Sequence, residues 1–276
     1  MADEKEKILY AFYESIKNGG DFLTIQDLDV AIKTLKLAEL NAQIAEKQAQ
    51  IARTVPLFEI ENGVLKKCNQ NAKTVEIPDG VRIIGKQAFK GCDKIQNVIL
   101  PSSVTDIEKH AFAHCKNLEN INIPQGVKAI RAYAFWGCKK LEKIVIPPKV
   151  SSIMHDTFRD CVSLKSVILP ESLSYIRNSA FLRCKKLTSI TIHKNVIKIE
   201  ENAFSECLKL ENVIIHNGVK TIENFAFSGC LSLKHIKIPV SVTDASYYSV
   251  FSGCTNITIE QCLDDVSSLL IYKKEA

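Results

Sequence analysis

The sequence predicts an α/β repeat solenoid: a right-handed coil of short strands, stacked unit on unit and capped by an N-terminal helical segment. Three observations carry that prediction. Phenylalanine recurs at 89, 112, 135, 158, 181, 204 and 227, every 23 residues. Cysteine follows three places later each time, at 92, 115, 138, 161, 184, 207 and 230. Proline stands at 78, 101, 124, 147 and 170 with the same step, and again at 239. A fixed period of this length marks one structural unit stacked on copies of itself, because so short a unit cannot bury its own apolar face.

The unit reads Leu-x-x-Ile-x-Ile-Pro-x-x-Val-x-x-Ile-x-x-x-Ala-Phe-x-x-Cys. One copy is Leu118, Ile121, Ile123, Pro124, Val127, Ile130, Ala134, Phe135 and Cys138. Leu-x-x-Ile-x-Ile has the alternation of a strand, with its apolar residues inward. Proline ends that strand, since it cannot donate to a continuing ladder. Val-x-x-Ile is expected to form a second short strand on the opposite side, and Ala-Phe-x-x-Cys a tight, helix-like turn back. Stacking at about 4.8 Å completes both the backbone hydrogen bonds and the core.

Taken in order, residues 1–55 read as a helical cap or small helical domain. Ile8, Leu9, Phe12 and Ile16 share one face, and Gly19-Gly20 ends that helix. Thr24 and Asp27 resemble a capping box before Leu28, Ala31, Ile32 and Leu35. A third segment spaces Leu37, Leu40, Ile44, Gln48, Ile51 and Val55 by three or four. It reads as a helix lying across the first coil more readily than as a coiled-coil seam. The stretch NGGDFLTIQDL lacks the acidic start and final Glu of a calcium loop.

Residues 56–260 are the solenoid, about eight coils. Asn62-Gly63 reads as a hairpin turn. Leu65-Lys66-Lys67-Cys68 imitates Phe89-Lys90-Gly91-Cys92 and is expected to be a half-formed first coil. At the far end Phe251 and Cys254 follow Phe227 and Cys230 by 24, and Thr243 to Val250 replaces the usual pattern as the array closes. Residues 261–276 are expected to cover the last open edge, which would otherwise invite other chains.

The bulk numbers exclude several classes. Net charge is +5, from 36 basic and 31 acidic residues. Residues 1–55 carry −2 and residues 261–276 carry −1, which leaves the repeats about +8. Spread evenly, that is a mixed, solvated surface and no argument for nucleic acid. The N-terminus has no apolar h-region, no run of about 18 apolar residues exists, and no lipidation motif is evident. With ten cysteines in a regular register, the expectation is a cytoplasmic, reducing setting, where the single sequon at Asn256 is silent.

The repeat is similar to the BspA-like, treponemal-type class of the leucine-rich repeat family. The residues that carry the resemblance are the Pro-x-x-Val-x-x-Ile-x-x-x-Ala-Phe-x-x-Cys-x-x-Leu-x-x-Ile-x-Ile pattern over about residues 58–260. The resemblance implies a binding protein, often adhesive and often on the surface of bacteria or parasitic protists. It does not reach residues 1–55.

Candidate sites follow from the columns of the repeat. The cysteines would lie in a row with parallel vectors. Neighbours fall near disulfide distance, yet four ligands in a line make no tetrahedral zinc site. Small buried thiols filling an inward slot are the plainer reading, with Cys262, outside the register, the best candidate for a reactive thiol. His193 and His216 replace proline in adjacent copies beside Asn195 and Asn217. They read as solvated loop residues before they read as a metal pair. His110, His114, His155 and His235 show no matching pair. No nucleophile elbow, phosphate loop, HExxH or paired-carboxylate motif occurs, so neither an enzyme nor a cofactor is expected.

The informative column is the outward residue of each strand: Glu76, Ile99, Asn122, Val145, Ile168, Thr191, Ile214 and Lys237. Beside it run Thr74, Asn97, Asn120, Lys143, Ser166, Ser189, Asn212 and His235. An apolar stripe edged by amides and hydroxyls on the concave sheet suits a protein partner. β-branched residues also suit strands for their own sake. The expected partner-binding residues are Ile99, Asn120, Asn122, Lys143, Val145, Ile168, Thr191 and Ile214, on a monomer. Trp136 and Tyr133 are a second candidate anchor, or are buried under a neighbouring coil.

Overall fold

A computed structural model describes residues 17, 36–44, 46, 57–69, 71–245, 247–255, 257–262 and 269–274. The chain divides into two compact units, Met1–Pro56 and Leu57–Ala276. In the first, residues 36–44 are helical, with Leu37, Leu40 and Ile44 exposed. The expected helices before residue 36, and Gln48, Ile51 and Val55, lie outside the described residues.

The second unit is a β-solenoid of about eight turns. Each coil contributes a strand to a broad side and a two-residue strand to a narrow side. The broad strands are β3 (Thr74–Glu76), β5 (Asn97–Ile99), β7 (Asn120–Asn122), β9 (Lys143–Val145), β11 (Ser166–Ile168), β13 (Ser189–Ile192), β15 (Asn212–Ile215) and β17 (His235–Ile238). The narrow strands are β4 (Ile83–Ile84), β6 (Asp106–Ile107), β8 (Ala129–Ile130), β10 (Ser152–Ile153), β12 (Tyr175–Ile176), β14 (Lys198–Ile199), β16 (Thr221–Ile222) and β18 (Asp244–Ala245). Pairing between coils is parallel and in register, as in Ser166↔Lys143 and Ile168↔Val145.

The core is a file of phenylalanines. Phe89, Phe112, Phe135, Phe158, Phe181, Phe204, Phe227 and Phe251 are fully buried. Successive rings stack with centroids 4.8–5.8 Å apart. Offset stacks of this kind add to the area each ring buries. A single-turn helix at Tyr247–Val250 absorbs the extra residue before Phe251, which stays in file.

The turn after the narrow strand is tight but not helix-like. Two residues per coil have positive φ, among them His110 and His114, Asp156 and Asp160, Ser179 and Arg183. Left-handed residues break a helix, and at side chains this large they carry a steric cost. The conformation persists because it turns alternate N–H groups toward the next coil. Gln87, Phe89 and Gly91 donate to the carbonyls of Lys109, Ala111 and Ala113, and the pattern repeats down the stack. Gly137 is needed here for a second reason: a Cβ would sit 2.7 Å from His114 Nδ1.

The ends differ from the middle. β1 (Phe58–Glu61) and β2 (Val64–Cys68) form an antiparallel hairpin whose turn residues Asn62 and Gly63 both have positive φ. Leu65 pairs with Ile84, so it occupies the narrow strand and not the phenylalanine column. Cys68 N donates to Ala88 O, as Phe89 N does to Ala111 O. Cys68 therefore stands where the previous phenylalanine would. The likeness of Leu65–Cys68 to Phe89–Cys92 is a coincidence of spacing, because an extended hairpin strand covers the same path in fewer residues. At the other end β19 (Ile257–Cys262) continues the parallel side, and β20 (Leu269–Lys274) pairs antiparallel with it. That strand is the last of its sheet.

Candidate functional site

The strand alternation turns one residue in two outward along the broad side. Ile99, Val145, Ile168 and Ile214 are 45%, 53%, 58% and 53% exposed, unusual for aliphatics within strands. Asn120, Asn122, Lys143 and Thr191 are exposed as well. The ladders set Ile99 beside Asn122, Val145 beside Ile168, and Thr191 beside Ile214. The eight expected residues thus lie on one face, but no ladder joins β7 to β9, β11 to β13, or β15 to β17.

The polar members divide by what they are bonded to. Asn97 Nδ2 donates to Thr74 Oγ1 at 3.2 Å, and Asn120 Nδ2 to Asn97 Oδ1 at 2.9 Å, which makes an exposed amide ladder. Asn122 behaves otherwise. Its Oδ1 accepts from Leu100 N at 2.8 Å and its Nδ2 donates to Leu100 O at 3.1 Å. Its amide replaces a backbone partner of the preceding coil, so its first role is structural. A cleft of about 500 Å³ opens beside this column, lined by Glu119, Asn120, Lys140, Glu142, Lys143 and Ser163. A second of similar volume lies at Ile214, His216, Lys237 and Pro239, beside the unladdered β15–β17 step.

The cysteines are more than filler. Cys161 Sγ donates to Phe135 O at 3.1 Å, and the same bond from cysteine to the phenylalanine of the preceding coil recurs from Cys115 to Cys254. The same carbonyl also closes its own turn by accepting from Cys N, as Phe135 O does from Cys138. Burial pushes the Cys207 thiol up to about 12 and holds Cys138, Cys184 and Cys230 well above the usual thiol range. Thiols so placed are poor nucleophiles. The Cys262 side chain lies outside the described residues.

His193 is not solvated: it is buried, and neither ring nitrogen has a hydrogen-bond partner. Its Nδ1 lies 3.8 Å from Glu171 Oε2. His193 fills the slot that buried Pro147 and Pro170 fill in earlier coils, which explains why it is enclosed. His216 is exposed. Among the described residues, no group of three His, Cys, Asp or Glu could hold a metal ion. His110 and His114 have partners the sequence did not reveal. His110 stacks on Tyr133 at 4.6 Å, and His114 packs on Trp136 at 4.3 Å. Trp136 Nε1 reaches forward to Asp160 Oδ2 at 3.2 Å. Trp136 and Tyr133 are half-buried and bridge three coils.

The charge is not evenly spread. The segments running from each cysteine into the first residue of the next broad strand, residues 93–97 and their six counterparts to 231–235, hold ten lysines, no arginine and four acids. That surplus of six exceeds the net +5 of the whole chain. The opposite turn is balanced by pairs such as Arg131–Glu108, Arg159–Asp156, Arg177–Glu200 and Arg183–Glu206. The total charge averaged this polarity away; the residues one and two places after each cysteine would have shown it.

In-register parallel strands stacked coil on coil, with an aliphatic and amide column turned outward, define a leucine-rich repeat solenoid. The chain belongs to the BspA type leucine rich repeat family, whose model matches residues 58–188 and 174–269. It is similar to the T. pallidum leucine rich repeat protein at 30% identity, covering 65% of this chain and 90% of that one, with a TM-score of 0.58. It is also similar to a leucine-rich repeat protein from Bacteroides ovatus at 33% identity, covering 73% of this chain and 62% of that one, TM-score 0.56. A leucine-rich repeat protein from Eubacterium ventriosum, at 23% identity and TM-score 0.53 over 69% of this chain and 61% of that one, shares the fold. The chain thus spans less than two thirds of the Bacteroides and Eubacterium proteins. No curated protein matches it significantly. Among the described residues, no helix is long and apolar enough to cross a membrane.

Proposed function

We propose that this chain is a non-catalytic protein-interaction module that docks a protein partner on its broad sheet face, acting as a monomer. The carrying observation is Val145 beside Ile168 in register, both more than half exposed on a ladder that is otherwise alternately buried. Isolated exposed aliphatics are ordinary; a paired set at the centre of a face edged by amides is what an interface core requires. The coils are ordered before docking, so little conformational entropy is lost on binding. Family membership supports an interaction role in general terms.

The test is affinity capture from source lysate with wild type and Val145→Lys/Ile168→Lys. Circular dichroism confirms that both are folded. Loss of a partner from the variant supports the broad face, and equal recovery of every partner refutes it.

A further inference from the structure

We propose that the lysine-bearing loop edge beside the broad sheet receives the acidic flank of an amphipathic helix from the protein partner. This rests on the broad-face reading and specifies the partner's chemistry. The edge is built unlike the opposite turn, where arginines pair with acids. Three of its four acids are consumed coil to coil, in Lys116–Asp93, Lys140–Glu119 and Lys165–Glu142. Lys139, Lys185 and Lys186 remain exposed, and no acid among the described residues forms an ion pair with them. Glu142 already feels this field: its carboxyl is held below the usual range by its hydrogen bond to Lys165 and by the charges of Lys165, Lys186 and Lys143.

Three features point to an acidic helix. First, the edge adjoins the stripe: Lys143 and Val145 are one strand residue apart in β9, so an occupant of both must carry acids and apolar groups together. A phosphate polymer or a sulfated glycan has no apolar stripe to offer. Second, the edge itself intersperses Lys with Leu208 and Leu231, the latter 47% exposed, and carries no Phe, Tyr or Trp for a nucleobase to stack on, its one ring being the His235 imidazole 3.0 Å from Glu260. Third, the ring-to-ring spacing from coil to coil, 4.8–5.8 Å, brackets the helix pitch of about 5.4 Å. A helix along the solenoid axis would therefore set one acidic residue per turn against one coil. About twenty helical residues span about 30 Å, or roughly six coils.

The experiment uses the full chain and a fluorescein-labelled synthetic helix of about twenty residues, with Leu at i, i+3, i+4 and i+7 and Glu on one flank. The control probe has the same composition scrambled to strict alternation. Anisotropy is read for wild type, for Lys139→Glu/Lys185→Glu/Lys186→Glu, which spares every stripe residue, and for Val145→Lys/Ile168→Lys. Expected results are binding of the helix over the scrambled probe, a loss of at least about tenfold in the lysine variant, and weakening as salt shortens the Debye length. Equal binding of the helix to wild type and the lysine variant, or tighter binding of oligothymidylate or anionic vesicles than of the helix, overturns the proposal. If the lysine variant fails this assay's prediction while the stripe variant still loses its captured partner, the broad-face function survives without the acidic helix. If only the lysine variant loses the helix, the edge stands and the stripe falls.

Discussion

Raising the pH should unfold the solenoid abruptly just above the thiol range. Cys115, Cys138, Cys161, Cys184, Cys207 and Cys230 are all buried, with pKa values raised chiefly by desolvation. In the unfolded chain each thiol ionises near its ordinary value of about 9, while the folded chain keeps the proton. A raised folded pKa gives stability that is complete below the unfolded value and is lost as pH climbs toward the folded one. Each thiol then costs about 0.8 kcal/mol at pH 9.5 and about 1.4 kcal/mol at pH 10. Six thiols together cost about 5 and about 8 kcal/mol, against a typical total stability of about 5–15 kcal/mol. The array should therefore melt at or below roughly pH 11. Urea unfolding at closely spaced pH values gives the slope of stability with pH, which counts protons released. A Cys161→Ala/Cys184→Ala double variant should lower that count by about two. An unchanged count in the double variant would refute the reasoning.

Two further outcomes follow from the packing. Phe158→Ala should cost about 3–5 kcal/mol in urea unfolding, because a ring stacked on Phe135 and Phe181 leaves a cavity on both sides, while Phe158→Leu should cost under about 2 kcal/mol; a small cost for the alanine variant would mean that the ring file is not what holds the coils. Asn122→Ala should cost about 1–3 kcal/mol by orphaning both backbone groups of Leu100, whereas Asn120→Ala, which loses one exposed amide bond, should stay within about 0.5 kcal/mol, and equal costs in thermal melts would contradict the assignment of Asn122 as a backbone surrogate.

What was legible in the sequence is what repeats. The phenylalanine file, the proline-ended strands and the exposed column at 99, 145, 168 and 214 all follow from a fixed period, since in a stacked coil equal spacing means equal environment. Two kinds of feature were not legible. Backbone conformation at the turn is one: Tyr133, Arg183 and Phe225 all have positive φ, and nothing in those side chains announces it. Coil-to-coil bonding imposes the conformation from outside the residue. Deviations from the period are the other. Leu65–Cys68 carried the right letters on the wrong side of the coil, and Asn122 looked like one more outward polar residue although its amide faces its neighbour's backbone.

The same deviations show which side of the coil carries continuity. The narrow-side ladder runs unbroken from β1 to β8 and from β10 to β18, but β8 and β10 are not joined. The broad side is also interrupted at that step, between β7 and β9. It is the one junction among the described coils where both ladders lapse together. What spans it is the turn side: Tyr133, Phe135 and Gly137 donate to His155, Thr157 and Arg159 at 2.8–3.0 Å, Cys161 Sγ reaches Phe135 O, and Phe135 stacks on Phe158. The aromatic bridge of Trp136 to Asp160 falls at the same step. A two-residue strand can drop out because it contributes few bonds, whereas the Ala-Phe-x-x-Cys turn supplies three inter-coil N–H bonds, a thiol bond and the core ring at once. That concentration accords with Phe and Cys holding their places in every coil from 89 to 254 while the outward strand residues vary. It also leaves the broad face free to differ coil by coil, which is what a binding surface on a repetitive scaffold requires.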